Sequence, residues 1–493
     1  MIRARLAAKQ DQETLASFGY QQDLRRSLRF FALFGVSFSV ISITTGIFLA
    51  FGSALSDLGP VAIWEWLLVG AGQIVIALVV AELGARMPLA GYAYQWGSRL
   101  GGSRYGWFVG FFGLLYMSVG GGAIFLLIGS PLLLSEFGVT NPTKLTVLIV
   151  TLVIMIIPIV VNIVSVSLAA KVNTVAVLTE IVGTVFFGLL LFILWAIHYK
   201  PSPYHLSILT TSIPILHQSR WYQIVMASIL GTYTLVGFEM AADMAEEAID
   251  ARNIVPKAVI TAVVVSVVLG FVALVGFVVA IPSIAGISKA NVPLLAIAKY
   301  WLPSPIVKLF VGFVVFSMFS ISVIGTAAQS RLVYALARDN MMPFSKPLAR
   351  VSSKTQTPVV ALLSFGVVDY LFTIVGYFQK NTFATLIGAT AIIPFIIYLM
   401  IAIAYWRKRG DLPRVEGGFS LGKFAPVVLL IAIIWSVAAI LSLSVPSSFR
   451  FADVIVLASL VLAVGWYWFA LRHRLDDGVA GVDVKGGNFA GEG

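Results

Sequence analysis

Twelve long apolar runs limit what this chain can fold into. Crossing about 30 Å of hydrocarbon takes roughly 20 apolar residues in a helix, and runs of about 18 to 25 residues recur along the sequence. Because backbone N–H and C=O groups must be paired inside a bilayer, such runs form helices. We therefore predict an all-α polytopic membrane protein with 12 transmembrane helices, numbered here as spans 1 to 12. They are predicted at 31–56, 60–83, 106–134, 145–165, 174–197, 222–248, 257–282, 306–334, 358–377, 382–405, 424–444 and 451–471.

The composition excludes several other classes of protein. Only 11% of the 493 residues are charged, against about 25% in soluble proteins. Cysteine is absent and the four histidines fall in predicted loops or at helix ends, so we expect no metal, no cofactor and no catalytic residues. No phosphate-binding Gly-Lys-Ser/Thr loop is present, which disfavours ATP-driven pumping. The net charge of +11 lies mainly in loops, so nucleic-acid binding is not expected.

The basic residues indicate how the chain is oriented. Twelve spans place both termini on one side of the membrane, and 25 of the 33 Lys and Arg fall on that side. By the positive-inside rule, both termini are predicted to be cytoplasmic, in the plasma or inner membrane. Residues 1–30 would form a cytoplasmic N-terminal arm without a cleavable signal peptide, and the Gly-rich segment 474–493 a disordered tail.

Two spans carry polar, helix-weakening residues at mid-membrane depth. Thr44-Thr45-Gly46 interrupts span 1, and Tyr233–Glu239 interrupts span 6. These spans open two consecutive sets of five, a pattern typical of inverted repeats whose broken helices form a midplane binding site. We predict repeats at 31–200 and 201–410, followed by spans 11 and 12 within 411–473. The alternative is that the small residues only permit close helix packing.

Four segments resemble motifs of the amino acid–polyamine–organocation (APC) permeases. Thr44-Thr45-Gly46-Ile47-Phe48 is similar to their Gly-Ser/Thr-Gly-Ile-Phe motif, with Thr44 in place of the first glycine. The other three segments lie at 81–94, 237–258 and 331–343. The resemblance is closest to the amino acid and choline transporter branch. It implies a leucine-transporter-type fold, with a 5+5 inverted repeat, broken helices 1 and 6, and two peripheral helices.

The predicted breaks suggest a receptor for a zwitterion. A broken helix exposes N–H groups that favour an anion and C=O groups that favour a cation. The resemblance implies the same mode, with a carboxylate on span 1 and an amine between spans 1 and 6. Thr44 makes the carboxylate contact less favourable than glycine would, which leaves room for an amine without a carboxylate. The predicted substrate-binding residues are Ile43, Thr44, Thr45, Gly46, Ile47, Tyr116, Tyr233, Thr234, Leu235, Gly237 and Phe238.

Two carboxyl groups inside predicted spans are candidates for energy coupling, because a charge in hydrocarbon is costly. Glu180 in span 5 stands where the resemblance places a lysine in many permeases. It is a candidate proton carrier or cation ligand, and the alternative is a structural carboxylate. Glu239 follows the break in span 6. It either caps the second half-helix or contacts a cationic substrate.

Together these features predict a secondary active transporter for amino acids or related organic amines, with proton-coupled uptake by alternating access. An exchanger and a choline- or polyamine-type cation carrier are the alternatives within this class. A channel or nutrient receptor on the same scaffold, and a membrane enzyme, are alternatives outside it. The coupling ion is predicted to be H⁺, with Na⁺ as the alternative. The expected partners are a small-molecule substrate and the lipid bilayer, and the protein is expected to be a monomer or homodimer.

Overall fold

The computed structural model describes residues 2–139, 141–164, 166–201, 203–213, 215, 218–379, 382–412 and 418–482. Within these residues the regular structure is helical, and 11 helices are long and apolar enough to cross a membrane. They span Phe30–Leu58, Pro60–Arg86, Ser103–Glu136, Lys144–Val164, Val172–Ala196, Ala251–Val279, Ser304–Arg338, Val359–Phe378, Thr385–Lys408, Gly422–Ser444 and Arg450–Asp476. They correspond to predicted spans 1 to 5 and 7 to 12.

Predicted span 6 is divided into short pieces, so it does not count among these long helices. Its helices are Arg220–Ala227, Ile229–Thr234 and Met240–Asp243. The twelfth crossing therefore stays a prediction. Shorter helices connect the spans or flank them. They comprise Ile2–Ser17, Tyr92–Gly101, Ile284–Ser288, Pro293–Trp301 and Ser345–Leu348.

Burial separates central helices from peripheral ones. The most apolar window of Phe30–Leu58 is 83% buried by the rest of the protein, whereas that of Arg450–Asp476 is only 22% buried. Large apolar side chains such as Val461 and Phe469 point outward from this last helix. A helix that is apolar on its outer face needs a lipid environment. Span 1 is thus at the centre of the bundle and span 12 at its edge.

Both ends of the described chain meet on one face, called here the terminal face. Asp339, after the end of span 8, accepts hydrogen bonds from the Tyr20 hydroxyl through its carboxylate and from the Gly481 N–H through its backbone carbonyl. The structure describes the first part of the segment 474–493, which is predicted to be disordered. Val482 is buried, and its N–H donates a hydrogen bond to the Ser103 hydroxyl at 3.0 Å. Gly481 lies close to the same serine. These contacts hold residues up to Val482 on the terminal face. Residues 483–493 lie outside the described residues.

Candidate functional site

Span 1 is interrupted at Ser42, two residues before the predicted position. Helices Phe30–Ile41 and Ile43–Leu58 meet there, and Ser42 has left-handed backbone angles of φ 40° and ψ 78°. The serine stabilises the break because its hydroxyl oxygen accepts a hydrogen bond from the Thr45 N–H at 3.3 Å. This is an N-cap for the second half-helix. Thr44, Thr45 and Gly46, predicted to be the break itself, form the first helical turn after it.

The N-terminus of this second half-helix is occupied by Glu180. Its Oε1 accepts a hydrogen bond from the Thr44 N–H at 3.1 Å, and the Thr44 hydroxyl contacts that of Thr184, one turn after Glu180. Glu180 and Thr44 are both buried. A carboxylate is favourable at this position because the N–H groups and the helix dipole present positive charge. Glu180 therefore holds the place predicted for a substrate carboxylate.

Span 6 is interrupted between Thr234 and Met240, within the predicted segment. Gly237 has φ +92°, and a Cβ there would lie 2.5 Å from Val40 Cγ1. Only glycine suits both the backbone angle and the close approach to span 1. The Phe238 carbonyl, freed by the break, accepts a hydrogen bond from the Ser37 hydroxyl at 2.5 Å. A side chain of span 1 thus provides the hydrogen bond for a backbone carbonyl that the break in span 6 leaves free.

A cavity with about 960 Å³ of space free of protein atoms lies beside the two breaks. It is formed by spans 1, 3, 4, 6, 8, 9 and 10, and part of the space is open to solvent. Most of its wall is apolar. Its polar wall residues in the described part of the chain are Thr45, Tyr116, Tyr233, Thr234, Ser322, Thr326, Gln329, Asp369, Tyr370 and Thr390.

The structure brings only part of the predicted site to this cavity. Five of the predicted substrate-binding residues line it, namely Thr45, Gly46, Tyr116, Tyr233 and Thr234. The other six are buried beside it without lining it. They are Ile43, Thr44, Ile47, Leu235, Gly237 and Phe238. Gly46 serves packing, since a Cβ there would lie 2.2 Å from Thr234 Cγ2.

Glu239 lies behind the cavity wall. It precedes the helix Met240–Asp243 but makes no side-chain capping hydrogen bond, contrary to the capping interpretation. Its Oε2 instead accepts a hydrogen bond from the Tyr398 hydroxyl of span 10 at 2.6 Å. Phe238 stacks on the same tyrosine, with ring centroids 5.6 Å apart. In this conformation, Glu239 joins span 6 to span 10.

Asp369 is a cavity residue that the sequence analysis missed. It lies in the middle of Val359–Phe378, and its Oδ1 accepts a hydrogen bond from Gln329 Nε2 at 2.8 Å. The cost of a charge inside a membrane helix, which singled out Glu180, applies equally to this aspartate. The signal was therefore present in the sequence.

The terminal face is closed by ion pairs between the segment after span 6 and the end of span 8. Arg331 Nε lies 2.7 Å from Glu247 Oε1, and both side chains are 1% exposed. Arg338 Nη2 lies 3.0 Å from Glu246 Oε1. Because these side chains are buried or nearly so, they are not ordinary solvated surface charges.

The segment before span 1 adds a second layer to this closure. The Ser27 and Leu28 N–H groups both donate to the Glu247 carbonyl at 2.8 Å. The Arg338 guanidinium lies 3.7 Å from the centre of the Tyr20 ring, whose hydroxyl reaches Asp339. Burial raises the pKa of Asp339 above its ordinary value, although the Arg338 charge opposes this shift. The closure of the terminal face thus includes buried charged side chains, among them Asp339.

A lipid-facing helical bundle with a central cavity between two interrupted helices defines a membrane transport protein. The chain belongs to the amino acid permease family, whose family model matches residues 28–466. This places it in the APC superfamily. The family and its curated relatives are permeases rather than enzymes.

Similar proteins occur in plants and fungi. The amino-acid permease BAT1 of Arabidopsis thaliana is 25% identical over 94% of this chain and 95% of its own length. The GABA-specific permease of Saccharomyces cerevisiae is 24% identical over 72% of this chain and 64% of its own length. The thiamine transporter thi9 of Schizosaccharomyces pombe is 40% identical, but over only 20% of this chain and 17% of its own.

Proposed function

We propose that this protein is a secondary active transporter that takes up amino acids or related organic amines together with a proton. Its similarity to amino-acid permeases and to a GABA permease supports the substrate class. One observation supports the coupling. The buried carboxyl group of Glu180 accepts a hydrogen bond from the Thr44 N–H, in the interrupted helix that borders the cavity.

Protonation of Glu180 would couple proton binding to a movement of span 1 against span 5. An ionised carboxylate is held by the positive end of the half-helix Ile43–Leu58. Uptake of a proton removes that charge and weakens the attraction, which frees span 1 to shift against span 5. Alternating access then consists of opening and closing the terminal face around a fixed cavity, in a leucine-transporter-type fold of 12 spans. We infer that the terminal face is cytoplasmic, because most of the Lys and Arg are predicted on it.

Proteoliposomes with an imposed pH gradient test this function. We expect labelled leucine, γ-aminobutyrate or putrescine to accumulate when the outside is acidic, and a protonophore to abolish the accumulation. Glu180→Gln keeps the size of the side chain but cannot lose a proton. In this variant, accumulation driven by the pH gradient should fall by a factor of at least about 10, while counterflow exchange should be retained. Glu65→Gln, a carboxyl replacement on span 2 away from the cavity wall, is the matched control and should behave as wild type.

The possible failures are distinct. Unchanged gradient-driven accumulation by Glu180→Gln would show that another group carries the proton. Accumulation that follows an imposed Na⁺ gradient and ignores pH would refute proton coupling. Absence of accumulation of any compound under either gradient would refute concentrative transport itself.

A further inference from the structure

The cavity wall carries one acidic side chain in the described part of the chain, that of Asp369. This residue is 8% exposed, and Gln329 Nε2 donates a hydrogen bond to its Oδ1. The same nitrogen also donates to the Ser118 hydroxyl at 2.9 Å, so both protons of the amide are used. The Ser118 hydroxyl is itself a hydrogen-bond partner of the Asp369 carboxyl group. At Gly121 of span 3, an added Cβ would remain 3.9 Å from Asp369 Oδ2, so there is space beside this oxygen.

Asp369 has no countercharge among the residues that the structure describes. No Lys, Arg or His lines the cavity among the described residues, and no described ion pair involves this carboxyl group. A carboxylate away from water and without a cation is costly, so a positively charged ligand would be strongly favoured beside it. The open space next to Oδ2 is where such a ligand fits.

The rest of the wall suits an organic cation. Tyr116, Tyr233 and Tyr370 line the same cavity, and aromatic rings attract cations through their negative faces. Apolar residues such as Ile124 and Ile159 provide a surface for a hydrocarbon body. A site for an inorganic ion alone would need neither the volume nor these side chains.

A carboxylate on the ligand would find little to bind. The Thr44 N–H is already bound to Glu180, and the Thr45 N–H to the Ser42 hydroxyl. These donors are used, and the described wall residues include one carboxyl group and no basic side chain to match a ligand carboxylate.

We propose that Asp369 binds the positively charged amino group of the transported molecule, and that this molecule is an organic amine without a carboxylate. This inference rests on the proposed transport function and narrows its substrate class. Gln329 is the positioning residue, because its amide fixes the Asp369 carboxylate against Ser118 of span 3.

Ligand pairs that differ only by a carboxylate test the proposal. Putrescine and ornithine, cadaverine and lysine, tyramine and tyrosine, and isoamylamine and leucine are compared by titrated thermal stabilisation of the purified protein. In at least one pair, the amine should bind at least about 10-fold more tightly than the amino acid. Asp369→Asn should weaken binding of that amine by about 10-fold or more, because a charge-assisted hydrogen bond is lost. Asp369→Glu keeps the charge and should retain the preference for amines.

Asp57→Asn is the matched control. Asp57 accepts a hydrogen bond from Ser53 at 3.1 Å and does not line the cavity, so amine affinity should be unchanged. The proposal is wrong if amino acids bind as tightly as their amines, if no amine stabilises the wild-type protein, or if Asp369→Asn binds amines normally. If this variant binds amines normally but loses pH-driven accumulation, Asp369 is a proton site instead. Concentrative uptake of amino acids by wild type and by Asp369→Asn would refute this inference and leave the proposed transport function intact.

Discussion

Thr44 and Glu180 depart from the permease pattern at two separate places in the sequence, and the structure puts them in contact. Without the Glu180 carboxyl group, the N–H of residue 44 would be open to a ligand. Threonine adds a hydroxyl that contacts Thr184, while its N–H binds the Glu180 carboxyl group. The two substitutions are thus parts of one arrangement. The Glu180 carboxyl group pairs with the Thr44 N–H, and Thr184 pairs with the Thr44 hydroxyl, so these buried polar groups all have partners.

Gly46 is predicted to be essential for packing. An added Cβ would lie 2.2 Å from Thr234 Cγ2, so Gly46→Ala should overpack the contact between spans 1 and 6. We expect a loss of about 1–3 kcal/mol, measured as a lower melting temperature in detergent. Gly46→Ala combined with Thr234→Gly should recover part of the loss, because the clashing atoms are removed.

Gly312→Ala is the control for Gly46. It changes a helical glycine that has nothing within 4 Å of the added Cβ, and it should be neutral or slightly stabilising. Equal melting temperatures for Gly46→Ala and Gly312→Ala would contradict the packing role.

At the level of helices, the sequence predicted which spans are interrupted but not where span 1 breaks. Polar residues at mid-depth marked both spans, and the break in span 6 falls where expected. In span 1, the break occurs at Ser42 because a serine can adopt the left-handed conformation and cap the next half-helix with its own hydroxyl. Gly46 drew attention as a helix-weakening residue, yet its role is to let another helix approach. Sequence alone does not separate these two uses of glycine.

The cavity was harder to predict than the breaks. Its wall combines residues from seven spans, and spans 4, 8, 9 and 10 gave no local motif that identified their inward faces. Asp369 is the exception, because a lone carboxyl group in an apolar helix is visible in the sequence. Its partner Gln329 is 40 residues away in the chain, so their contact becomes apparent only in the folded protein.

The buried pair Arg331–Glu247 joins two elements, and its removal should be costly. Arg331→Met leaves the Glu247 carboxylate buried without its partner, and we expect a loss of about 3–5 kcal/mol. The double variant Arg331→Met/Glu247→Leu should lose much less than the sum of the single variants, because no isolated charge remains. Melting temperatures of the single and double variants provide the measurement.

An exposed ion pair provides the control for this cycle. Lys408 and Asp411 lie 3.2 Å apart with side chains 55% and 69% exposed, and Lys408→Met should change stability by less than about 1 kcal/mol. If Arg331→Met is as mild as Lys408→Met, the buried pair does not stabilise the closed terminal face.

For the whole molecule, closure of the terminal face is built from distant parts of the chain. The segment before span 1, the loop after span 6, the end of span 8 and the chain after span 12 all meet there. Asp339 contacts two of these parts, through Tyr20 and Gly481. The face can therefore open only if several contacts separate together, which is the behaviour expected of a two-state gate.

Tyr20 provides the sharpest test of that gate, because it can be removed without altering the cavity. Its ring covers Arg338 and its hydroxyl binds Asp339, so Tyr20→Ala should weaken the closed state by about 1–2 kcal/mol. That shift corresponds to roughly a 5- to 30-fold gain in the open population. The chain has no cysteine, so Thr326→Cys on the cavity wall would be the single labelling site. A maleimide applied from the terminal face should label it several-fold faster when Tyr20→Ala is present. Tyr199→Ala, which removes an exposed tyrosine between spans 5 and 6, should leave the rate unchanged. Equal labelling rates with and without Tyr20 would mean that Tyr20 does not stabilise the closed state. The ion pairs alone would then keep the terminal face closed.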